Sequence, residues 1–276
     1  MRTRFIQELE FRNYSPRTIR NYVGVIKRLS LHFGQSPDQL STLQIKSYLY
    51  HCKDKEHLSI SLINQTIGAL RILFRDVLEL PLDRHLSIKR PRRTFHLPVI
   101  LSKPEVKLLI HALINPKHVA MIALLYSTGM RRDELLQLRI TDVDSDRMLI
   151  RINNGKGNKS RDVILSEKTL TLLRKYYQCH HHKPSTYLFE SIQAGKPYSA
   201  TSLGKVVKKA AKRAGIAKNV TPHTLRHTFA THMLEQGENL KTIQYLMGHT
   251  SLRATMVYLH LAQLDPSIKS PLDYED

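Results

Sequence analysis

Two histidines and an arginine fall within five positions of TPHTLRHTFATH, residues 221–232. His223 and Arg226 are three apart and share a helix face, beside an apolar stripe of Leu225, Phe229, Ala230 and Met233. An imidazole moves protons near neutral pH, and a guanidinium grips an oxyanion as a fork. A solvated basic helix, or a histidine satisfied in the core, would carry the same tripeptide spacing. Three further segments hold residues of comparable chemistry. STGMRRDELLQL places Arg131 shortly after Gly129, Glu134 one turn on, and Leu135, Leu136 and Leu138 as a core stripe. NNGKGNKSR sets Lys156 between two glycines, where a side chain reaches into a cleft uncrowded by its neighbours. LMGHTSLRATMVYLH carries His249 and, nine residues later, Tyr258. Each alone has a plain reading: surface arginine, turn lysine, half-buried helix tyrosine. Cys179 beside His180, His181 and His182 suggests a metal, but adjacent ligands converge on one ion only with loop contortion. A solvated loop and no metal site are expected there.

The chain bounds what such residues act on. Its 276 residues suffice for two domains, and 41% hydrophobic content suffices for real cores. The 43 Lys and Arg against 23 Asp and Glu leave a net charge of +20, the footprint of a nucleic-acid binder. A ribosomal or membrane-surface protein can be as basic, but here the charge is spread through a well-patterned globular sequence. No apolar run approaches a membrane span. The opening MRTRFIQELEFRNYS lacks a signal peptide's apolar core. The two cysteines, Cys52 and Cys179, lie too far apart to suggest a disulfide framework. A cytoplasmic protein without a membrane partner is expected.

Positioning these groups falls to a mainly α, two-domain chain. Residues 1–80 read as a helical bundle. Ser15-Pro16 has the form of an N-cap with proline at the first helical position, ahead of apolar residues at Ile19, Tyr22, Val23, Ile26 and Leu29. STLQIKSYLYHC and SISLINQTIGALRILFRDVLEL follow as helices. Residues 81–98 hold three prolines and five basic residues without helical period, a linker. A second domain, 99–276, starts at Ser102 and Glu105 with capping-box spacing. Helices run to about residue 138. RMLIRINNGKGNKSRDVIL then alternates on both sides of a Gly/Asn-rich turn, a hairpin signature, and TYLFES is expected to add a third strand. Helices resume from 199 to about 263, before an acidic tail.

In this order and at these spacings, the segments resemble the tyrosine recombinase (phage integrase) family, and within it the Xer-like site-specific recombinases. The family pattern has an arginine in T-G-[LM]-R-x-x-E-L, a lysine in a G-K-G-N-K hairpin, H-x-x-R-H-x-F-A-T-H, and L-[MG]-G-H followed nine residues on by a tyrosine. Those positions are Arg131, Lys156, His223, Arg226, His249 and Tyr258. The resemblance is strong over about 100–260 and weaker over the bundle.

It implies an N-terminal core-binding domain and a mostly helical catalytic domain with a small antiparallel sheet. It also implies metal- and ATP-independent DNA breakage and rejoining through a 3′-phosphotyrosyl bond and a Holliday junction, with no cofactor. The physical chemistry agrees. Resealing without an external energy source requires a covalent protein–DNA bond, and a phenolate both attacks phosphorus and leaves again because its pKa lies below that of a sugar hydroxyl. Arg131 and Arg226 would hold the charge on the non-bridging oxygens, with Glu134 holding Arg131. Lys156 would protonate the leaving 5′ oxygen, and His223 and His249 would share proton handling at the tyrosine and hydrogen bonds to the phosphate. His227 is expected to pack or cap, with a phosphate contact as the alternative. Partners would be double-stranded DNA with inverted-repeat sites and three further protomers, four acting on two sites, with residues after Tyr258 docking on a neighbour. SLGKVVKKAAKR sets Lys205, Lys208, Lys209 and Lys212 along one face, fitting a helix against phosphates, although a solvated basic face fits as well. Lys89, Arg90, Arg92 and Arg93 in the linker would cross the backbone and close a clamp. A type IB topoisomerase would share this chemistry but relax DNA without pairing two sites, and a DNA-binding protein that has lost catalysis is the alternative of another class.

Overall fold

The computed structural model describes residues 1–80, 90–91, 97–153, 160–179 and 183–262, in two compact units, Met1–Phe95 and His96–Asp276. In the first unit, helices α1 (Arg2–Phe11), α2 (Pro16–Phe33), α3 (Thr42–Asp54) and α4 (Ile60–Ile72) bury one face each around Phe5, Leu29, Ile45, Tyr48, Ile67 and Leu70. The proline-led start of α2 is as the sequence predicts: the Ser15 hydroxyl accepts from Thr18 N, and Gly34 closes the helix in the left-handed region. The segment after Ile72 does not continue as α-helix. Leu73–Val77 widens into π turns that carry Leu73, Phe74 and Val77 into the core.

The second unit is built around α6 (Pro116–Thr128), whose Ala120 to Leu125 are all buried. Before it lies α5 (Lys103–His111), with the full Ser102/Glu105 capping box. After it come α7 (Arg132–Gln137) and strands β1 (Val143–Asp144), β2 (Leu149–Ile152) and β3 (Arg161–Ile164). The sheet is antiparallel in the order β1-β2-β3, with Ile150 opposite Val163 and Ile152 opposite Arg161. Helices α8 (Glu167–Cys179), α9 (Ala200–Arg213), α10 (Pro222–Glu235), α11 (Leu240–Met247) and the short α12 (Arg253–Met256) complete it, followed by a 3₁₀ turn, Val257–His260.

One strand is not where the sequence suggests. TYLFES supplies only isolated bridges, Tyr187 to Arg139 and Glu190 to Pro197, and the third strand is β1. Glu190 is the reason. Its buried carboxylate accepts from the backbone N–H groups of Ser185, Thr186, Tyr187 and Gly195. This curls the segment into a loop, leaving the consecutive Leu188 and Phe189 both buried, which no half-buried strand allows. Among the described residues no helix is long and apolar enough to cross a membrane.

Candidate active site

Helix α10 runs through the core of the second unit, and its residues from Thr224 to His232 are buried apart from the half-buried His227. Thr221 caps it by accepting from Thr224 N, behind Pro222 at the first helical position. Burial on most sides leaves Arg226 only 4% exposed, so its guanidinium needs partners within the protein. Nη1 donates to the Gly129 carbonyl at 2.7 Å and Nη2 to the Met247 carbonyl at 2.6 Å. Desolvation, then repulsion by Arg131, lowers its pKa to about 10, still protonated at neutral pH.

The end of α11 organises the site. Gly248 terminates that helix at φ +59, a left-handed conformation in which glycine carries no Cβ penalty. The last carbonyls of an α-helix have no intrahelical partner and form the negative end of its dipole. Here three in succession each take one guanidinium. Leu246 O accepts from Arg161 Nε at 2.8 Å, Met247 O from Arg226 Nη2 at 2.6 Å, and Gly248 O from Arg131 Nη2 at 2.6 Å.

Glu134 ties two of these arginines together. One carboxylate oxygen accepts from Arg131 Nη1 (2.8 Å) and Arg161 Nη1 (3.0 Å), the other from Arg131 N (2.7 Å) and Arg161 Nη2 (2.7 Å). Burial pushes this carboxyl upward, but the Arg161 and Arg131 bonds outweigh it and hold the pKa at about 2. Three guanidiniums against one carboxylate leave an excess of positive charge, the condition for holding an anion. Glu134→Ala leaves two close arginines without their counter-charge. The expected cost is about 3–5 kcal/mol, read from the urea unfolding midpoint at pH 7. In the parent protein this contribution is fully present above the ordinary glutamate pKa and fades as pH falls from there toward 2.

Tyr258 lies in the 3₁₀ turn and is 1% exposed. Its ring is nearly parallel to that of His249 (8°, centroids 6.5 Å) and tilted against that of His227 (5.8 Å). Its hydroxyl makes a hydrogen bond of 2.9 Å with His227 Nδ1. Burial, opposed by the Arg226 charge, raises the phenol to about 12. His249 Nδ1 pairs with the hydroxyl of fully buried Thr255 at 2.9 Å. Desolvation, then the charges of Arg226 and Arg131, depress His249 to about 4, so its ring is neutral at pH 7. His223, in the first turn of α10, is exposed, and its pKa is lowered by desolvation and by Arg226, Arg132 and Arg131.

Of the residues singled out in the sequence, Arg131, Glu134, Arg226, His249 and Tyr258 thus meet in one place, with His223 on the same helix as Arg226. Lys156 lies outside the described residues, as do Lys89, Arg92 and Arg93. Arg90 is exposed, and Lys205, Lys208, Lys209 and Lys212 line the exposed face of α9. One expectation is extended and one residue is added. His227 does not merely pack or cap, because it is the hydrogen-bond partner of the Tyr258 hydroxyl. Arg161, not singled out at all, proves to be a member of the arginine cluster. One signal for it exists in the sequence: it shares the inward face of β3 with Val163, and a charge at a core-facing position requires a buried counter-charge.

Residues 100–264 match the phage integrase family, and residues 1–84 match the N-terminal SAM-like domain of phage integrases. The protein belongs to the phage integrase family. A tyrosine recombinase of Pseudothermotoga lettingae is 33% identical to it over 92% of this chain and 90% of that one. The crystal structure of XerA recombinase is 32% identical, covering 95% of this chain and 93% of that chain, with a TM-score of 0.57. The fold is also that of the Tn1549 transposon integrase in complex with transposon right end DNA, at a TM-score of 0.76 and 20% identity over 93% of both chains. This Xer-like tyrosine recombinase is therefore a site-specific enzyme that cleaves and rejoins DNA. In the recombinase, the family's two motif arginines stand on the adjacent carbonyls of Met247 and Gly248.

Proposed function

We propose that four copies of the recombinase join two DNA sites and exchange their strands through a 3′-phosphotyrosyl intermediate and a Holliday junction. The observation that carries this reading is the placement of Tyr258 between two neutral-leaning imidazoles and close to Arg226, one of three arginines fixed to one helix terminus. A phosphodiester bound there meets Arg131 and Arg226 at its non-bridging oxygens, where charge grows as phosphorus becomes pentacoordinate. The bond from Tyr258 Oη to phosphorus forms as the bond from phosphorus to the 5′ oxygen breaks. The phenol loses its proton, the 5′ oxygen gains one from Lys156, and the strand's free energy stays in the phosphotyrosine. Attack by the 5′ hydroxyl of the partner strand reverses these steps. The Thr255 hydroxyl engages His249 Nδ1 and so orients the ring, leaving the opposite ring nitrogen for a phosphate oxygen. His223 supplies a second such bond. The exposed lysines of α9 and the basic residues of 81–98 hold the duplex backbone, in keeping with the net charge of +20.

The test begins with selection of bound duplexes from a random pool. Inverted repeats about a short spacer are expected. A supercoiled plasmid with two such sites in direct repeat should release one circle. Relaxation of plasmids lacking any site, with no exchange, would instead assign the chemistry to a type IB topoisomerase.

The general acid has its own test. Replacing the bridging 5′ oxygen by sulfur creates a leaving group that departs without a proton. Lys156→Ala should cleave the ordinary substrate about 10²–10⁴-fold more slowly and the sulfur substrate at nearly the parent rate. Arg131→Ala should be slow on both, because its charge acts on the non-bridging oxygens. Equal impairment of Lys156→Ala on both substrates would remove it from this role.

A further inference from the structure

The reacting hydroxyl of Tyr258 touches a group outside the set of six that the resemblance marks. We propose that His227 is the general base that takes the Tyr258 proton, through Nδ1, as the phenol attacks phosphorus. This rests on the reading of Tyr258 as nucleophile and assigns the one proton that reading leaves open.

The geometry separates the three histidines. His227 Nδ1 lies 2.9 Å from Tyr258 Oη, within the range for direct proton transfer. His249 stacks against the Tyr258 ring at 6.5 Å between centroids, and its own Nδ1 is taken up by Thr255. His223 is exposed at the start of α10. Among the described residues, His227 is the histidine with a ring nitrogen in hydrogen-bond reach of Tyr258 Oη. The proposal requires the tautomer with the ring proton on Nε2, in which Nδ1 accepts from the phenol hydroxyl across this 2.9 Å contact.

The surroundings keep His227 free to accept. The groups that act on it are His223 and Arg226 on its own helix, Tyr258 on the 3₁₀ turn and His249 after α11. Burial first, then His223 and Arg226, lowers its pKa to about 4, so the ring is neutral across the physiological range. An imidazole this weakly basic does not ionise the resting phenol, which burial holds at about 12. Transfer occurs when the forming Oη–P bond makes the phenol proton acidic. The Oη–H bond breaks as Nδ1 gains the proton. The resulting imidazolium then stands beside a phosphodiester anion, and it returns the proton to Oη when the phosphotyrosine is resolved. No co-reactant is needed.

The experiment measures single-turnover cleavage of a site carrying sulfur at the 5′ bridging position, so that the general acid drops out and pH reports on the base alone. Parent recombinase should be flat between pH 6 and 9. His227→Ala and His227→Gln should be about 10²–10⁴-fold slower at pH 7, with rates rising with pH as ionisation of the phenol replaces the lost base. Glutamine keeps a hydrogen-bond acceptor near Tyr258 but takes no proton, so its slowness separates proton transfer from positioning. Added imidazole should restore His227→Ala, which leaves a space for it, and not His227→Gln. Both variants are first checked by circular dichroism and by gel shift on the bound site. Near-parent rates, or slow rates whose pH profile parallels the parent's and which imidazole leaves unchanged, would overturn the proposal. Tyr258→Phe runs alongside: an adduct in that variant would overturn the nucleophile reading itself, whereas its absence with an unimpaired His227→Ala would remove only the base.

Discussion

Tyr258→Phe is expected to bind its DNA site with unchanged affinity and to form no covalent protein–DNA adduct that survives denaturant. The substitution keeps the ring, and with it the packing of a side chain that is 1% exposed. What is lost is one hydroxyl and its hydrogen bond to His227 Nδ1, a stability cost of about 1 kcal/mol. A folded, DNA-binding protein without cleavage is therefore the expected product. Gel shift measures the binding, and denaturing electrophoresis of labelled DNA measures the adduct. Should the adduct persist, Tyr245 is the next residue to test. That side chain is 58% exposed on α11, and its hydroxyl accepts from Asp162 N at 3.5 Å, with no arginine of the cluster as its partner. The contrast between the two tyrosines in burial and partners is why Tyr258 carries the assignment.

Gly248→Ala should have a large effect although it removes no functional group. A Cβ at this position would lie 2.7 Å from Arg161 Nη1 and 2.9 Å from its Cζ, closer than real Cβ contacts come. The left-handed backbone adds about 1–2 kcal/mol for any residue with a Cβ. Arg161 cannot simply swing away, because Glu134 holds its Nη1 and Nη2 while Leu246 O holds its Nε. Displacing it shifts Glu134, and Glu134 positions Arg131. Misplacing one charge-stabilising donor typically costs about 10²–10³ in rate, and here two arginines stand on the carbonyls next to the new methyl group. Single-turnover cleavage should fall by at least about 10²-fold, with a much smaller change in DNA affinity, which rests on many phosphate contacts. Cleavage at the parent rate would show that this helix terminus is not what aligns the arginines.

Much of the fold and of the site is legible in the sequence. The Ser15 and Ser102 caps follow from local rules, because side chain and backbone partner lie three residues apart, and the hairpin strands and the leucine stripe after Arg131 follow from the period of their apolar residues. The resemblance carried the residues of the site, which five short motifs in order identify and no single one does. What could not be read were the contacts between motifs. That consecutive carbonyls of α11 would receive Arg161, Arg226 and Arg131 depends on four distant segments converging, and carbonyls leave no trace in residue type. The His227 contact with Tyr258 is not legible in the sequence, because it joins α10 to the 3₁₀ turn 31 residues on. TYLFES was misread as a strand because Glu190 looks like a surface residue until its carboxylate is seen capping four backbone N–H groups.

The most direct test traps the intermediate and asks which atom carries the DNA. A substrate nicked just beyond the scissile phosphate loses its short 5′-hydroxyl fragment on cleavage, so the covalent complex accumulates. Nuclease and protease digestion followed by mass spectrometry of the peptide then locates the attachment. A nucleotide joined through its 3′ phosphate to Tyr258, with the released strand bearing a free 5′ hydroxyl, is the expected result. Attachment at Tyr245 or any other residue, or a phosphate left on the 5′ end, would contradict it.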